Sequence, residues 1–257
     1  MFRLASAFVL AFSLAVPWQA FAHDFWVNAS HDAATQQLSA QIGYGHDFPA
    51  AEAIAADRLH IFKPLRLLSS DGSAEMVQKG ENYAYQLVKE LKKGSYLVLG
   101  EYQPTFWSKN AEGWKQQNRT QMADADYCEE AVMNAKTVLN IGGGTENDLI
   151  TRPAGQILEI VPKVNPAGVR VGEAFPVQVL YEGKPVKTAE LTATVEGFSK
   201  KGSKAFYGRT DLNGMIDIVP LKDGYWLAQV QHKVPYADAK TCDEVVAVAT
   251  LSFRIGK

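Results

Sequence analysis

The sequence predicts an all-β protein with two immunoglobulin-like or transthyretin-like β-sandwich domains and a short connecting helix. Short apolar or alternating segments recur along the chain at the spacing of sandwich strands, and turn residues separate them. One stretch near the middle instead places its apolar residues at helical spacing. A length of 257 residues suits two domains of about 100–150 residues each.

Residues 1–22 have the three parts of a cleaved secretory signal. Arg3 supplies the positive start, an apolar core follows, and Ala20 and Ala22 are the small residues before the cleavage point. The apolar core is shorter than the about 20 residues that a membrane helix needs. We therefore predict an exported protein whose mature chain begins at His23 and which does not span the membrane.

Residues 23–118 are predicted to form the amino-terminal β-sandwich. Apolar segments run from Leu38 to Ile42 and from Leu59 to Leu68, and a turn cluster occupies 69–73. The segments 83–88 and 94–102 show the alternation or the apolar content of further strands.

Residues 119–152 are predicted to be a helical connector. Between Ala123 and Leu139 the apolar residues recur on one helical face, and Asp124 and Asp126 suit the positive end of a helix. The glycine-rich segment 141–148 would end this helix.

Residues 153–257 are predicted to form one immunoglobulin-like β-sandwich. Seven strand-like segments follow one another over about 100 residues, the usual strand count of that fold. They are 157–162, 174–181, 189–197, 205–210, 215–220, 225–232 and 245–255. Asn213-Gly214 is a strong signal for a tight hairpin turn.

Composition and motifs exclude several classes of function. The net charge of −2 gives no basic face for nucleic acid. The sequence lacks a phosphate-binding loop, a nucleophile turn and the His-Glu-x-x-His zinc protease signature. We therefore predict a binding protein with no enzymatic activity.

Two cysteines, Cys128 and Cys242, occur in the whole chain. In an exported protein such a pair is most simply one disulfide. Two thiolate metal ligands are the alternative, although neither cysteine has a second cysteine or a histidine at ligand spacing.

The histidines are the candidate metal ligands. A histidine at the start of the mature chain offers its amine and its ring Nδ1 to one ion, so His23 is the first candidate, and His46 would add a second imidazole. His60 and His232 are weaker candidates, whereas His31 is expected to face solvent. The alternatives are a loose terminal residue for His23, a backbone-bonding turn histidine for His46, and solvated histidines for His60 and His232.

Three carboxylates flank these histidines. Asp24, Asp47 and Glu52 can each supply an oxygen ligand or orient a ligating imidazole. The sequence does not distinguish among them, and as single carboxylates they are more simply explained as solvated surface groups.

The segments HDFW from His23, GHDFP from Gly45, and TFWSKNAEGW from Thr105 resemble the DUF4198 family, as does the carboxy-terminal module with YEGKPV, TDLNGMIDI and GYWLAQVQH. The resemblance covers nearly the whole mature chain. It implies a β-rich periplasmic protein associated with nickel or cobalt uptake, with His23 and His46 as metal-site positions and a membrane metal transporter as partner.

Two other functions stay open on the sequence alone. The same amine and imidazoles can hold copper, for trafficking or in an oxidative enzyme acting on polysaccharide. The protein can also be an adhesion or scaffolding module without a metal.

Overall fold

The computed structural model describes residues 23–80, 83–198 and 202–256. Nearly all regular structure in these residues is β, which confirms the predicted all-β class. No helix among them is long or apolar enough to cross a membrane. The predicted signal segment, residues 1–22, lies outside the described residues.

The first part of the chain contains strands β1 (Asp24–Asp32), β2 (Gln37–Gly45), β3 (Arg66–Ser69), β4 (Gly72–Glu75), β5 (Val77–Gln78), β6 (Ala84–Val88), β7 (Gly94–Asn110), β8 (Gly113–Lys115) and β9 (Tyr127–Ile141). The second part contains β10 (Leu158–Pro162), β11 (Phe175–Tyr181), β12 (Lys184–Pro185), β13 (Glu190–Val195), β14 (Phe206–Arg209), β15 (Met215–Ile218), β16 (Gly224–Pro235) and β17 (Glu244–Ile255). Short 3-10 helices occupy Ala56–Ile61 and Pro166–Gly168. All seven strands predicted after residue 153 are present.

The strands form three sheets. A nine-stranded sheet, which we call the shared sheet, has the order β14-β13-β16-β17-β9-β7-β3-β4, with β8 beside β7. The amino-terminal sheet has the order β1-β2-β6-β5, and the carboxy-terminal sheet the order β10-β11-β12, with β15 beside β11. The pairing of β17 with β9 is parallel and joins strands from the two halves of the chain in one sheet.

The shared sheet contributes to two cores because successive side chains of a strand point to opposite faces. Leu251 and Phe253 of β17 are fully buried in a core with the carboxy-terminal sheet. Val248, on the other face of the same strand, is buried in a core with residues of the amino-terminal sheet. One strand therefore connects both cores.

Strand β1 is fixed against β17 by its backbone as well as by its side chains. The hydroxyl groups of Thr250 and Ser252 donate to the carbonyl oxygens of Phe25 and Val27, each at 2.6 Å. Phe25 and Val27 are fully buried. The chain immediately after His23 is therefore held firmly against the shared sheet.

The predicted helix over 123–139 is wrong, because the segment forms strand β9. Residues 132–137 are buried without interruption, since both faces of this central strand are covered. A strand buried on both sides does not alternate, and its apolar residues here coincide with helical spacing. Tertiary packing overrides the local preference of its Ala, Glu and Lys residues for a helix.

The segment around His60 also differs from the sequence-based expectation. It was expected to be part of a strand, and it forms the 3-10 helix Ala56–Ile61. Ile61 is the buried residue of this helix, whereas His60 is exposed. The first strand after it begins only at Arg66.

The predicted disulfide is confirmed. Cys128 and Cys242 are bonded across a sequence separation of 114 residues, and both are fully buried. Cys128 lies in β9 and Cys242 just before β17, so the bond fastens the start of the parallel pair. The alternative of two thiolate metal ligands is thereby excluded for this oxidised form.

Candidate metal centre

The β1–β2 hairpin places His23 and His46 side by side. Asp24 pairs with Gly45 at the open end of this antiparallel hairpin. One step further out, the same register brings His23 opposite His46. Their ring centroids are 4.3 Å apart with an interplanar angle of 32°. The backbone register therefore brings together two histidines that are 23 positions apart in the sequence.

The loop after β2 turns back over the hairpin because Phe48 anchors it. Phe48 is buried against Trp26 and Tyr225, with centroid distances of 5.6 and 5.0 Å. Further along the loop, the backbone N–H of Glu52 donates to the carbonyl oxygen of Tyr44 at 2.7 Å. These contacts place Glu52 next to His23 and His46.

His23, His46 and Glu52 form the candidate metal centre. One ligand atom from each residue lies within 4.8 Å of the others, and no other such group of three occurs among the described residues. His23 Nε2 lies 3.3 Å from Glu52 Oε2. The backbone N–H of His46 donates to Glu52 Oε1 at 3.1 Å.

This cluster is open to solvent on one side. The side chain of His23 is 31% exposed and that of Glu52 is 48% exposed. Burial lowers the pKa of His23, the nearby charge of His46 lowers it further, and Glu52 opposes both effects. The lowered pKa favours the uncharged ring of His23, which is the form that binds a metal.

Tyr44 packs against one face of the His23 ring. The two rings are stacked, with centroids 4.6 Å apart and an interplanar angle of 4°. Tyr44 also packs edge-on against Phe62 at 5.5 Å. The ring of His23 thus rests on the rim of the amino-terminal core.

The other predicted histidine candidates lie apart from this cluster. His60 is an exposed residue of the 3-10 helix Ala56–Ile61. His232 lies in β16 and contacts Tyr181, with ring centroids 5.0 Å apart. His31, expected to face solvent, is partly buried near the end of β1, and its Nε2 has no hydrogen-bond partner. The structure therefore brings together two of the four predicted histidine ligands, His23 and His46.

The structure also separates the three carboxylates that the sequence could not rank. Asp24 points away from the histidines, and its carboxylate accepts hydrogen bonds from Lys204 and Gln229. Asp47 is exposed and is not part of the cluster. Glu52 alone of the three contacts His23. The sequence carries one weak signal for this outcome, the turn at Pro49 between His46 and Glu52.

Fold and cluster together define a β-sandwich protein with an open histidine and carboxylate cluster at the end of a hairpin. The chain belongs to the DUF4198 family, described as a domain of unknown function, whose model matches residues 20–234. Comparison with curated proteins finds no match.

Among solved structures, native alpha-2-macroglobulin from Escherichia coli, spanning domains MG0-NIE-MG1, is similar at 10% identity. The similarity covers 90% of this chain and 72% of that one, with a TM-score of 0.22. This score is too low to indicate a shared fold.

Proposed function

We propose that this protein binds a divalent transition metal, nickel or cobalt, in the periplasm and delivers it to a membrane uptake system. The ion would be held by the amine and ring of His23, as the first residue of the processed chain, and by the ring of His46. The observation that carries the proposal is the grouping of His23, His46 and Glu52 within 4.8 Å.

The spacing of the cluster suits a metal ion after a small adjustment. Imidazole nitrogens bind such ions at about 2.0–2.1 Å, so two ligands on opposite sides of the ion lie about 4 Å apart. The ligand atoms here are within 4.8 Å of one another. Side-chain movements of less than about 1 Å would bring the ligand atoms to that separation. Imidazole donors suit nickel, cobalt, copper and zinc.

The exposure of the cluster favours a carrier over a structural metal site. Structural sites surround the ion with protein ligands, whereas an ion with open positions can exchange ligands. His46 is exposed and Glu52 is 48% exposed, so another protein can reach a bound ion. The disulfide between Cys128 and Cys242 suits the oxidising periplasm. Nickel and cobalt are named because of the family resemblance.

A calorimetric titration of two purified chains tests this proposal. One chain begins at His23 and the other carries one additional residue before it. We expect one-to-one binding of nickel or cobalt by the first chain and much weaker binding by the second, because an amide nitrogen is not a basic ligand. Equal binding by both chains removes the amine from the site. Absence of binding by both chains contradicts the proposal and favours the scaffolding function.

Copper is the second candidate ion, because the nitrogen-rich donor set favours copper over other divalent ions of the first transition row. The two imidazole rings with centroids 4.3 Å apart are the observation that supports it. Titration with copper and zinc in the same experiment ranks the ions. A redox assay on the copper-loaded chain then distinguishes copper trafficking from an oxidative enzyme, because only the enzyme would turn over a substrate.

A further inference from the structure

We propose that Glu52 is a positioning residue: it holds the ring of His23 through Nε2 and thereby directs the metal to Nδ1. This inference rests on the proposed function, because it concerns the same site. It assigns Glu52 a place outside the coordination sphere, although its carboxylate is near enough to be counted among the possible ligands.

The argument begins with the nitrogen that Glu52 contacts. Its Oε2 lies 3.3 Å from Nε2 of His23, the nitrogen on the far side of the ring from the backbone. A chelate that includes the amine of the same residue has to use Nδ1, the nitrogen next to the side-chain attachment. Nε2 is too far from the amine to close such a ring. The carboxylate therefore contacts Nε2, the ring nitrogen that does not take part in the chelate.

A carboxylate at Nε2 also selects the imidazole tautomer that the chelate requires. In a neutral imidazole one nitrogen carries the proton and the other a lone pair, and hydrogen bonding decides which. With Glu52 accepting a hydrogen bond from Nε2–H, the lone pair of His23 is on Nδ1. Carboxylate partners of this kind fix the orientation of metal-binding histidines and increase the basicity of the ligand.

Glu52 is itself held in place before any metal arrives. Its backbone N–H donates to Tyr44, and its second carboxylate oxygen accepts from the backbone N–H of His46. Gly45 lies beside it, where an added Cβ would be 3.0 Å from the Cγ and Oε1 atoms of Glu52. With Tyr44 stacked on one face of His23, the plane and the rotation of the ring are both fixed.

If Glu52 were instead an oxygen ligand of the ion, its variants would behave differently. The carboxylate oxygen would have to move from Nε2 to the ion, and an amide in its place would be a poor ligand. In the positioning role, by contrast, the carbonyl oxygen of a glutamine can still accept a hydrogen bond from Nε2–H. The variants Glu52→Gln and Glu52→Ala therefore separate the two roles.

The test is a titration with nickel chloride of processed chains that begin at His23, carrying Glu52→Ala or Glu52→Gln. Removal of a partner outside the coordination sphere typically lowers metal affinity about 10- to 100-fold. We expect a loss of that size for Glu52→Ala and a loss of less than about tenfold for Glu52→Gln. Asp47→Asn is the matched control, because Asp47 is an exposed carboxylate of the same loop outside the cluster, and it should bind like the unchanged chain.

Nitrogen NMR of the zinc-loaded chain supplies a readout that does not depend on affinity. We expect the ring proton of His23 on Nε2 and the metal on Nδ1, in the unchanged chain and in Glu52→Gln. Equal losses of affinity for Glu52→Gln and Glu52→Ala, or metal on Nε2, would overturn the positioning role. Unchanged affinity in Glu52→Ala would overturn it as well. If the unchanged chain binds no metal, the proposed function itself fails, and the two failures are thus distinguishable.

Discussion

Two carboxylates of this protein each contact a basic side chain. One pair lies in the interior and the other at the surface. Glu159 and Lys136 form an ion pair whose side chains are 2% and 1% exposed. Glu52 and His23 form a contact whose side chains are 48% and 31% exposed. The same kind of pair is thus built once without access to solvent and once with it.

The two pairs differ in how completely their polar atoms are used. Besides the ammonium group of Lys136, the carboxylate of Glu159 accepts the backbone N–H groups of Ala154 and Gly155. Both oxygens of Glu159 thus accept hydrogen bonds inside the protein, and burial keeps a ligand away from this pair. His23, in contrast, contacts Glu52 through one ring nitrogen, and the proposed ion would bind the other. The buried pair is therefore closed to a ligand, whereas the surface pair is one that a ligand can reach.

Replacing Lys136 by methionine should have the largest effect on the free energy of unfolding. The substitution leaves the charge of Glu159 buried without its partner, which typically costs about 3–5 kcal/mol. The double variant Lys136→Met with Glu159→Gln should recover much of this loss, because the amide is uncharged and its oxygen can still accept the backbone N–H of Ala154. Unfolding by urea measures both.

The control for that experiment is Arg209→Met. Arg209 pairs with Glu190 at 3.0 Å, and the two side chains are 66% and 58% exposed. An exposed pair contributes at most about 1 kcal/mol. Equal losses for Lys136→Met and Arg209→Met would show that burial does not distinguish the two kinds of pair.

At the surface site, His46→Ala should reduce nickel affinity by more than about 100-fold. Loss of a ligand is expected to exceed the 10- to 100-fold loss for a partner outside the coordination sphere. His60→Ala and His232→Ala should bind as the unchanged chain does, because neither histidine belongs to the cluster. Calorimetric titration gives all three affinities, and a comparable loss for His60→Ala would place the site elsewhere.

Gly45→Ala should weaken both the fold and the site. Gly45 has φ +149°, where side chains are rarely tolerated, and the new Cβ would lie 3.0 Å from Glu52. Backbone strain of this kind costs about 1–3 kcal/mol. Displacement of Glu52 should lower nickel affinity in addition.

Gly72→Ala separates these two effects. Gly72 has φ +125°, and an added Cβ there would have nothing within 4 Å. We expect a loss of thermal stability from this variant with unchanged nickel affinity. If Gly45→Ala also leaves the affinity unchanged, the approach of Glu52 does not depend on the missing Cβ.

The smallest predicted effect is on the pH dependence of stability in the metal-free protein. Burial is the main cause that lowers the pKa of His23 and of His232 below the ordinary value of about 6.5. As the pH falls through that value, the unfolded chain takes up the protons first. The stability contribution is therefore present above about pH 6.5 and lost below it.

Both groups are partly exposed, so we expect a few tenths of a kcal/mol from each. Urea unfolding between about pH 5.5 and 7.5 in the presence of a chelator measures the slope, and His23→Gln and His232→Gln should each reduce it. An unchanged slope in both variants would contradict the prediction.

Local patterns in the sequence were sufficient for most of the strands. The Asn213-Gly214 turn and the apolar segments after residue 153 predicted seven strands, and all seven are present. The same kind of pattern failed for β9, because a strand covered on both faces loses the alternation that identifies a strand. It failed also for the segment around His60, which forms a short 3-10 helix whose buried residue is Ile61.

The sequence by itself determined the all-β class, the pairing of its two cysteines, and the choice of His23 and His46 as candidates. These depend on residue type, on local spacing and on the small number of cysteines. Only the tertiary structure decided that Glu52, and not Asp24 or Asp47, reaches His23. That choice depends on the register of the β1–β2 hairpin and on the burial of Phe48 against Trp26 and Tyr225. Such contacts join residues far apart in the chain, and no local pattern encodes them.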